Sequence, residues 1–462
     1  MRSIILALAL ASFAQAAAYA QLGPLSQIPL GDIPKIASEQ SVPEAKTAPV
    51  KEWTLMFYIN GKSNVEPFAL ADMHKLEAAG SSADVNVVAE LGRMGQPGPV
   101  PPEGNWTGSR RYYVVKSTDT QHFASQALME TPKVDMGDWH RVVDFANWAK
   151  QNYPAKHYML LVWDHGWGWL DPTPAAFGSV EPNRAQTRSV SHDFEYHSYI
   201  ATTQLGPMLK ATGGVDVYAS MACFMQMAEI TWELKDFAKV IVGSEEVIQL
   251  PSFDFTSIIK DLEAKPSADA ETLGAIMVDT FRDYYSTPDM LKMLSDTKFG
   301  VTLSALRAPM VGGIKPLVDA WVPLAMEVND TAAMDAAKAG VVRMEIGDET
   351  TDPNKTISFY GDMGQFMKLY ADNLKADTPK AMALKAASLA IVDYIDHALV
   401  IKSTGLSKDR TGKDYAQTHG LSIDIPGQPG NLIDIANNYY DLDFARETKW
   451  SDFVRWQTPA AK

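Results

Sequence analysis

His157-Tyr-Met-Leu-Leu-Val-Trp163 runs directly into Asp164-His165-Gly166-Trp167-Gly168-Trp169, and the change of character at Trp163 decides the fold. The first half is an almost continuous apolar run, which suits a strand buried on both faces better than one with a wet side. The second half is short, polar and glycine-punctuated, as expected where a strand leaves a sheet and the chain turns. Similar apolar runs lie on either side. Trp53–Ile59, Val85–Leu91 and Tyr112–Lys116 precede it, and Val215–Met221 and Lys239–Gly243 follow.

Helical text separates these runs. Val142, Phe145, Ala146 and Ala149 fall on one face at i, i+3, i+4 and i+7, Asp138 is placed to cap that helix, and Pro154 ends it. Buried strands alternating with helices predict an α/β fold, a mainly parallel sheet with helices on both faces. The core is expected over 51–255. A mainly helical region, with a late strand near 420–426, is expected over 256–462.

The termini and composition narrow the function classes. Arg2, the apolar run Ile4–Phe13 and the Ala18-Tyr19-Ala20 end form an export signal over 1–20. Residues 21–50, with five prolines, read as a linker or pro-segment. No later run reaches the roughly 18 apolar residues of a membrane span. A secreted or periplasmic protein is expected. The net charge of −15 and the lack of a basic stripe argue against nucleic-acid partners. An exported chain with one cysteine, Cys223, has no internal disulfide. Such a thiol is a buried bystander, an intermolecular link or a reactive group.

Ligands and catalytic groups in open α/β sheets gather at the carboxyl ends of strands. The run ending at Trp163 leads to His165, and the run ending at Met221 leads to Cys223. Neighbouring strands would bring the two side chains to one sheet edge. A thiol is mostly protonated at neutral pH and needs a base or cation beside it to act as a nucleophile, which an imidazole supplies. The spacing alone leaves this reading level with a structural histidine and an inert thiol.

The chain resembles the clostripain family of cysteine peptidases, which has a caspase-like fold. The likeness rests on Trp53-Thr-Leu-Met-Phe-Tyr, Met136-Gly-Asp, Phe145-Ala-Asn-Trp-Ala-Lys, Val162-Trp-Asp-His-Gly-Trp-Gly-Trp169, Tyr360-Gly-Asp-Met and Gly420-Leu-Ser-Ile, which occur in the family's order over roughly 50–430. It implies that His165 is the base and Cys223 the nucleophile, with the backbone N–H groups of Gly166 and Cys223 as the oxyanion hole. It implies no required cofactor, protein or peptide substrates, and calcium in some relatives. Residues 191–197, with His192, Asp193, Glu195 and His197, are the candidate calcium stretch, although calcium prefers an all-oxygen shell. A solvated loop is the better reading, so no metal ligands are assigned. The resemblance also implies self-cleavage between the His and Cys blocks; in the 171–190 loop Arg184 and Arg188 are the candidate sites if basic specificity holds, and a simple surface insertion is the equal alternative.

One departure bears on specificity. Relatives that cut after Arg or Lys carry an aspartate two residues before the cysteine, and here that residue is Met221. The stretch Gln249–Phe255 also lacks the second expected acid in register. Glu245, Glu246 and Asp254 are the candidates to restore an acidic pocket. Without one, a buried Arg side chain would lack its partner at a cost of about several kcal/mol. The expectation is an endopeptidase with a more apolar pocket. A degenerate binding or scaffold protein and a transpeptidase using the same dyad are the competing classes. The oligomeric state is not legible.

Overall fold

The computed structural model describes residues 49–95, 98–169, 190–345, 357–375, 377–426 and 439–458. The export signal, most of the proline-rich stretch, and Arg184 and Arg188 lie outside them. The strands are β1 Lys51–Gly61, β2 Val85–Arg93, β3 Gly108–Tyr113, β4 Ala127–Thr131, β5 Ala155–Trp163, β6 Val190–Asp193 and β7 Ser198–Ile200. They continue with β8 Val215–Met221, β9 Ala238–Gly243, β10 Val301–Arg307, β11 Arg343–Glu345, β12 Ile357–Asp362, β13 Val400–Leu406 and β14 Ser422–Asp424.

Nine of these strands form one sheet, in the order β13-β10-β9-β8-β5-β1-β2-β3-β4. The five central strands β2, β1, β5, β8 and β9 run parallel. Antiparallel strands flank them on both sides. This is the mainly parallel sheet predicted from the apolar runs. Alternate residues of β1 enter two separate apolar cores, Met56 and Tyr58 one and Leu55, Phe57 and Ile59 the other. The first core is closed by helices α2 (Trp139–Asn152), α3 (Thr202–Ala211) and α4 (Ala228–Leu234) through Val142, Phe145, Leu205, Met208 and Ile230. The second is closed by α1 (Glu66–Ala79), α5 (Phe255–Glu263) and α6 (Ala270–Tyr285) through Met73, Leu76, Ile259, Leu273 and Phe281. Asp138 does cap α2, accepting from the His140 N–H at 3.0 Å.

The structure departs from the sequence reading at the sheet's edges. β3 starts four residues before the expected strand, and β4 was not expected at all. Four of β4's five residues are exposed, so it has no apolar run to betray it. The C-terminal half supplies β10 and β13 to the same sheet, which therefore runs across the boundary drawn at 255. Val301-Thr-Leu-Ser-Ala-Leu-Arg307 mixes small polar residues with apolar ones, and β13 is a half-exposed edge. Neither carries the continuous apolar signature of the central strands. The described residues make one compact unit, and the late strand is present as β14.

Candidate active site

β1 pairs with β2 on one side and β5 on the other, so the chain order reverses there, and in such sheets a crevice opens beyond the strand ends. β5 and β8 are adjacent and parallel, with Trp163 opposite Met221. The Asp164 N–H donates to the Met221 carbonyl at 3.3 Å, which extends the pairing one step further. His165 and Cys223 each follow two residues after that matched pair. The register thus brings the two residues singled out from the sequence to equivalent places on neighbouring strand ends.

Gly166 lies directly against the cysteine backbone. A Cβ there would stand 2.4 Å from the Cys223 carbonyl oxygen and 3.0 Å from its nitrogen, so no other residue fits. Phe224, just after the nucleophile candidate, takes a left-handed φ of 62°, an unfavourable conformation for a bulky residue. Backbone strain of this kind clusters at functional sites, where surrounding structure enforces it. Here the Phe224 N–H reaches the Glu246 carbonyl at 3.4 Å, and its ring packs edge-on to Tyr360.

Burial pushes the Cys223 thiol up to about 12, and the carboxylates of Glu246 and Asp164 add to the rise. Hydrogen bonding from the backbone N–H groups of Ile248 and Gly166 pulls the other way. Burial likewise lowers the His165 imidazole to about 4. The two groups therefore rest as neutral thiol and neutral imidazole. His165 stacks on Phe194 with ring centres 5.9 Å apart, and its Nε2 lies 2.7 Å from Asn64 Oδ1. An amide oxygen only accepts, so Nε2 carries the proton and Nδ1 is left with the lone pair.

Asp164 faces away from the imidazole. Its carboxyl accepts from Ser63 Oγ at 2.9 Å and from the His192 N–H, and burial raises it well above the usual carboxylate range. It fastens the hairpin β6–β7 to the loop after β1. The same hairpin holds the candidate calcium stretch. Lys62, fully buried, pairs with Asp193 at 3.0 Å and Glu195 at 2.8 Å, and Asp193 also accepts from the N–H groups of Met136, Glu195 and Tyr196. These residues do not fit a calcium ion, because an ammonium stands where the carboxylates converge. The His192 ring stacks on Tyr199 instead.

The three candidate pocket residues part company. Met221 is almost buried, in the same apolar core as Trp163, Ile248 and Phe253. Glu246 is buried, accepting from the Val247 N–H at 2.7 Å and from the Tyr415 hydroxyl. Asp254 caps α5, accepting from the Ser257 N–H at 3.1 Å and its hydroxyl at 2.6 Å. Neither carboxylate is left unengaged. Glu245 faces Asp362, away from the strand end.

Two groups at the site were not picked out from the sequence. Asn64 sits in the loop Lys62–Glu66, whose only signal was its polar text before a helix. The Ile248 N–H is a backbone group inside an apolar residue and leaves no trace in the sequence.

Among the described residues no helix is long and apolar enough to cross a membrane. No curated protein matches the chain. Among solved structures, an inactive zymogen C11 protease from Parabacteroides distasonis superposes with a TM-score of 0.58 at 14% identity, covering 87% of this chain and 99% of its own. A secreted C11 cysteine protease from Bacteroides thetaiotaomicron does so with a TM-score of 0.57 at 12% identity, covering 87% and 99%. A structure of a secreted C11 protease from the same organism with an irreversible peptide inhibitor gives 0.55 at 15%, covering 88% and 99%. At these identities the likeness establishes the fold, which is the caspase-like one. The family model for clostripain matches residues 57–456, nearly the whole of the described chain. The chain therefore belongs to the clostripain family of cysteine peptidases.

Proposed function

We propose that this chain is an exported endopeptidase that hydrolyses peptide bonds through Cys223 and His165, and that it cuts after uncharged, chiefly aliphatic, side chains. The observation that carries the dyad is the β5–β8 register, which sets both residues two positions past the matched pair Trp163 and Met221. The export reading rests on the sequence of residues 1–20.

In this reading a substrate carbonyl enters the crevice beside Cys223. Nδ1 of His165 takes the thiol proton as Sγ bonds to the carbonyl carbon, so thiolate is generated only as it is used. The tetrahedral oxyanion is received by the N–H groups of Gly166 and Cys223. Losing one such donor typically costs about a hundred- to a thousandfold in rate. The imidazolium then protonates the leaving amine, and water, activated by the same histidine, frees the acyl group.

The preference for uncharged residues follows from what lies beside Met221. It pairs with Trp163 across the β5–β8 register and shares an apolar core with Ile248 and Phe253. The buried carboxylate on this side, Asp72, is matched by Lys75 at 2.7 Å. An incoming Arg or Lys would find Asp72 already paired with Lys75, Glu246 engaged by the Tyr415 hydroxyl and Asp254 by the α5 N-terminus, and would be desolvated at a penalty.

A peptide library incubated with purified enzyme and read by mass spectrometry tests both halves of the proposal. Cleavage after aliphatic residues that disappears in Cys223→Ala and His165→Ala is the expected result. Cleavage confined to Arg and Lys would refute the pocket assignment. A folded wild-type protein that cleaves nothing would refute the peptidase reading in favour of a binding role, and ligated products would point to transpeptidation.

A further inference from the structure

The loop 244–254 follows β9 and is joined to the turn after Cys223, where the Phe224 N–H reaches the Glu246 carbonyl at 3.4 Å, and hydrogen bonding from its Ile248 N–H lowers the thiol. Side chains from two helices hold it in place. Lys75 of α1 donates to the carbonyls of Pro251 and Phe253, the latter at 3.2 Å, and to Ser252 Oγ at 3.2 Å. The Tyr285 hydroxyl, at the end of α6, donates to the Gln249 carbonyl. Ser252 is buried and has a φ of 71°, a left-handed conformation that needs such support in a residue other than glycine.

Asp72 joins these anchors to the other half of the site. One of its oxygens, Oδ2, accepts from Ser252 Oγ at 2.7 Å and from Trp163 Nε1 at 2.7 Å. Its second oxygen faces Lys75 at 2.7 Å. Asp72 is 1% exposed. Trp163 is the last residue of β5, two before His165. A single carboxylate on α1 thus spans the strand that carries the base and the loop that lays an N–H on the nucleophile.

We propose that Asp72 is a positioning residue of the peptidase, fixing loop 244–254 against β5 so that the Ile248 N–H stabilises the Cys223 thiolate as it forms. The proposal rests on the Cys223/His165 reading. Asp72 touches neither reacting group and acts through Ser252 and Trp163. Loss of the donor's alignment should therefore slow formation of the thiolate by roughly tenfold or more.

The chain's one cysteine makes the test direct, because iodoacetamide alkylation reads Cys223 alone. Alkylation rates at pH 8 and steady-state kcat and KM are measured for wild type, Asp72→Asn, Ser252→Ala and His165→Ala. Ser252→Ala removes Asp72's hold on the loop while leaving the Trp163–Asp72 bond, so it tests the idea even if changes at Asp72 impair folding. Ser252→Ala should alkylate about tenfold more slowly and lose a similar factor in kcat with KM little changed. Asp72→Asn, which keeps an acceptor oxygen, should fall between it and wild type. Wild-type alkylation and kcat in both variants, whatever their melting temperatures, would overturn the proposal. If His165→Ala alkylates like wild type, the dyad reading itself fails and this one falls with it. Slowing by His165→Ala without slowing by Ser252→Ala would remove Asp72 alone.

Discussion

His165 Nε2 and Asn64 Oδ1 meet at 2.7 Å, joining the end of β5 to the loop that follows β1. The contact selects one tautomer of the imidazole and turns its basic nitrogen away from Asn64. Orientation of the base by a third group recurs wherever a side-chain nucleophile is activated by histidine. Here the third group is a neutral amide, so it orients the ring without adding charge.

Replacing Asn64 with alanine should lower kcat about tenfold or more, a part of the hundred- to ten-thousandfold that a positioned base contributes. KM should change little, since Asn64 lies behind the ring. Asn64→Asp makes a sharper test. A carboxylate beside Nε2 favours the imidazolium, so the histidine's pKa should rise and the acid limb of activity should move toward neutrality. Steady-state kinetics across pH separate the two effects, and an unmoved acid limb in Asn64→Asp would show that the contact is not made in solution.

The wild-type pH profile expected of the proposed dyad follows from the two shifted groups. The imidazole sits at about 4 and the thiol at about 12. Activity needs a neutral imidazole, so it should fall only as pH drops through the imidazole's value, and its alkaline limit should lie far above neutrality. A plot of kcat/KM against pH is expected to be flat from about 5.5 to 9. A preformed thiolate–imidazolium pair would instead lose activity on the alkaline side near neutrality, as its imidazolium deprotonates, while its thiolate is protonated only at low pH. A bell centred on pH 7 with limbs one unit either side would overturn the neutral-pair assignment.

The sequence made the proposed dyad visible because each member follows the end of an apolar run, and because a lone cysteine behind an apparent export signal asks for an explanation. Central strands buried on two faces cannot hide their periodicity. β4 and β13 could, since an edge strand with exposed side chains has no apolar pattern to distinguish it from a loop. Asn64 and Asp72 were hidden for a different reason. Their partners, His165 and Ser252, lie 101 and 180 residues away, and nothing local marks a residue whose role is a contact made by topology. Glu246 and Asp254 show the converse case. They were the right chemical type in the right stretch, but a tyrosine hydroxyl and a helix N-terminus engage them.

Glu245 and Asp362 make a second titratable centre beneath the same loop. Burial raises the Glu245 carboxyl well above its ordinary value, and the facing Asp362 and nearby Glu246 raise it further. Burial also raises Asp362, which accepts from the N–H groups of Gln365 at 2.6 Å and His419 at 2.7 Å, with the His419 imidazole opposing the rise. Two carboxyls in contact hold a proton between them. At neutral pH the unfolded chain has released that proton, so it binds fewer protons than the folded one, and stability falls as pH rises. The contribution is complete below the ordinary glutamate range and is lost as pH climbs through the raised folded value. Glu245→Gln can donate to Asp362 without titrating. Thermal unfolding between pH 6 and 10 should show a shallower loss of Tm in that variant than in wild type. Equal slopes would place the titrating group elsewhere.

Met221 offers a gain-of-function test of the pocket. It stands in the apolar core beside Trp163 and Ile248, two residues before the nucleophile. Met221→Asp puts a carboxylate there with no cation facing it in the free enzyme. An unpaired buried charge is costly, so the variant should melt several degrees lower than wild type. Substrates with Arg or Lys at the scissile position would supply the missing cation. Their kcat/KM should rise by about tenfold or more relative to aliphatic ones, equivalent to about 1.4 kcal/mol of new pairing. The change should appear in the ratio between substrates, because the dyad itself is untouched. A folded Met221→Asp enzyme that keeps the wild-type ratio would mean that this side chain does not line the pocket, and that specificity is set by other residues.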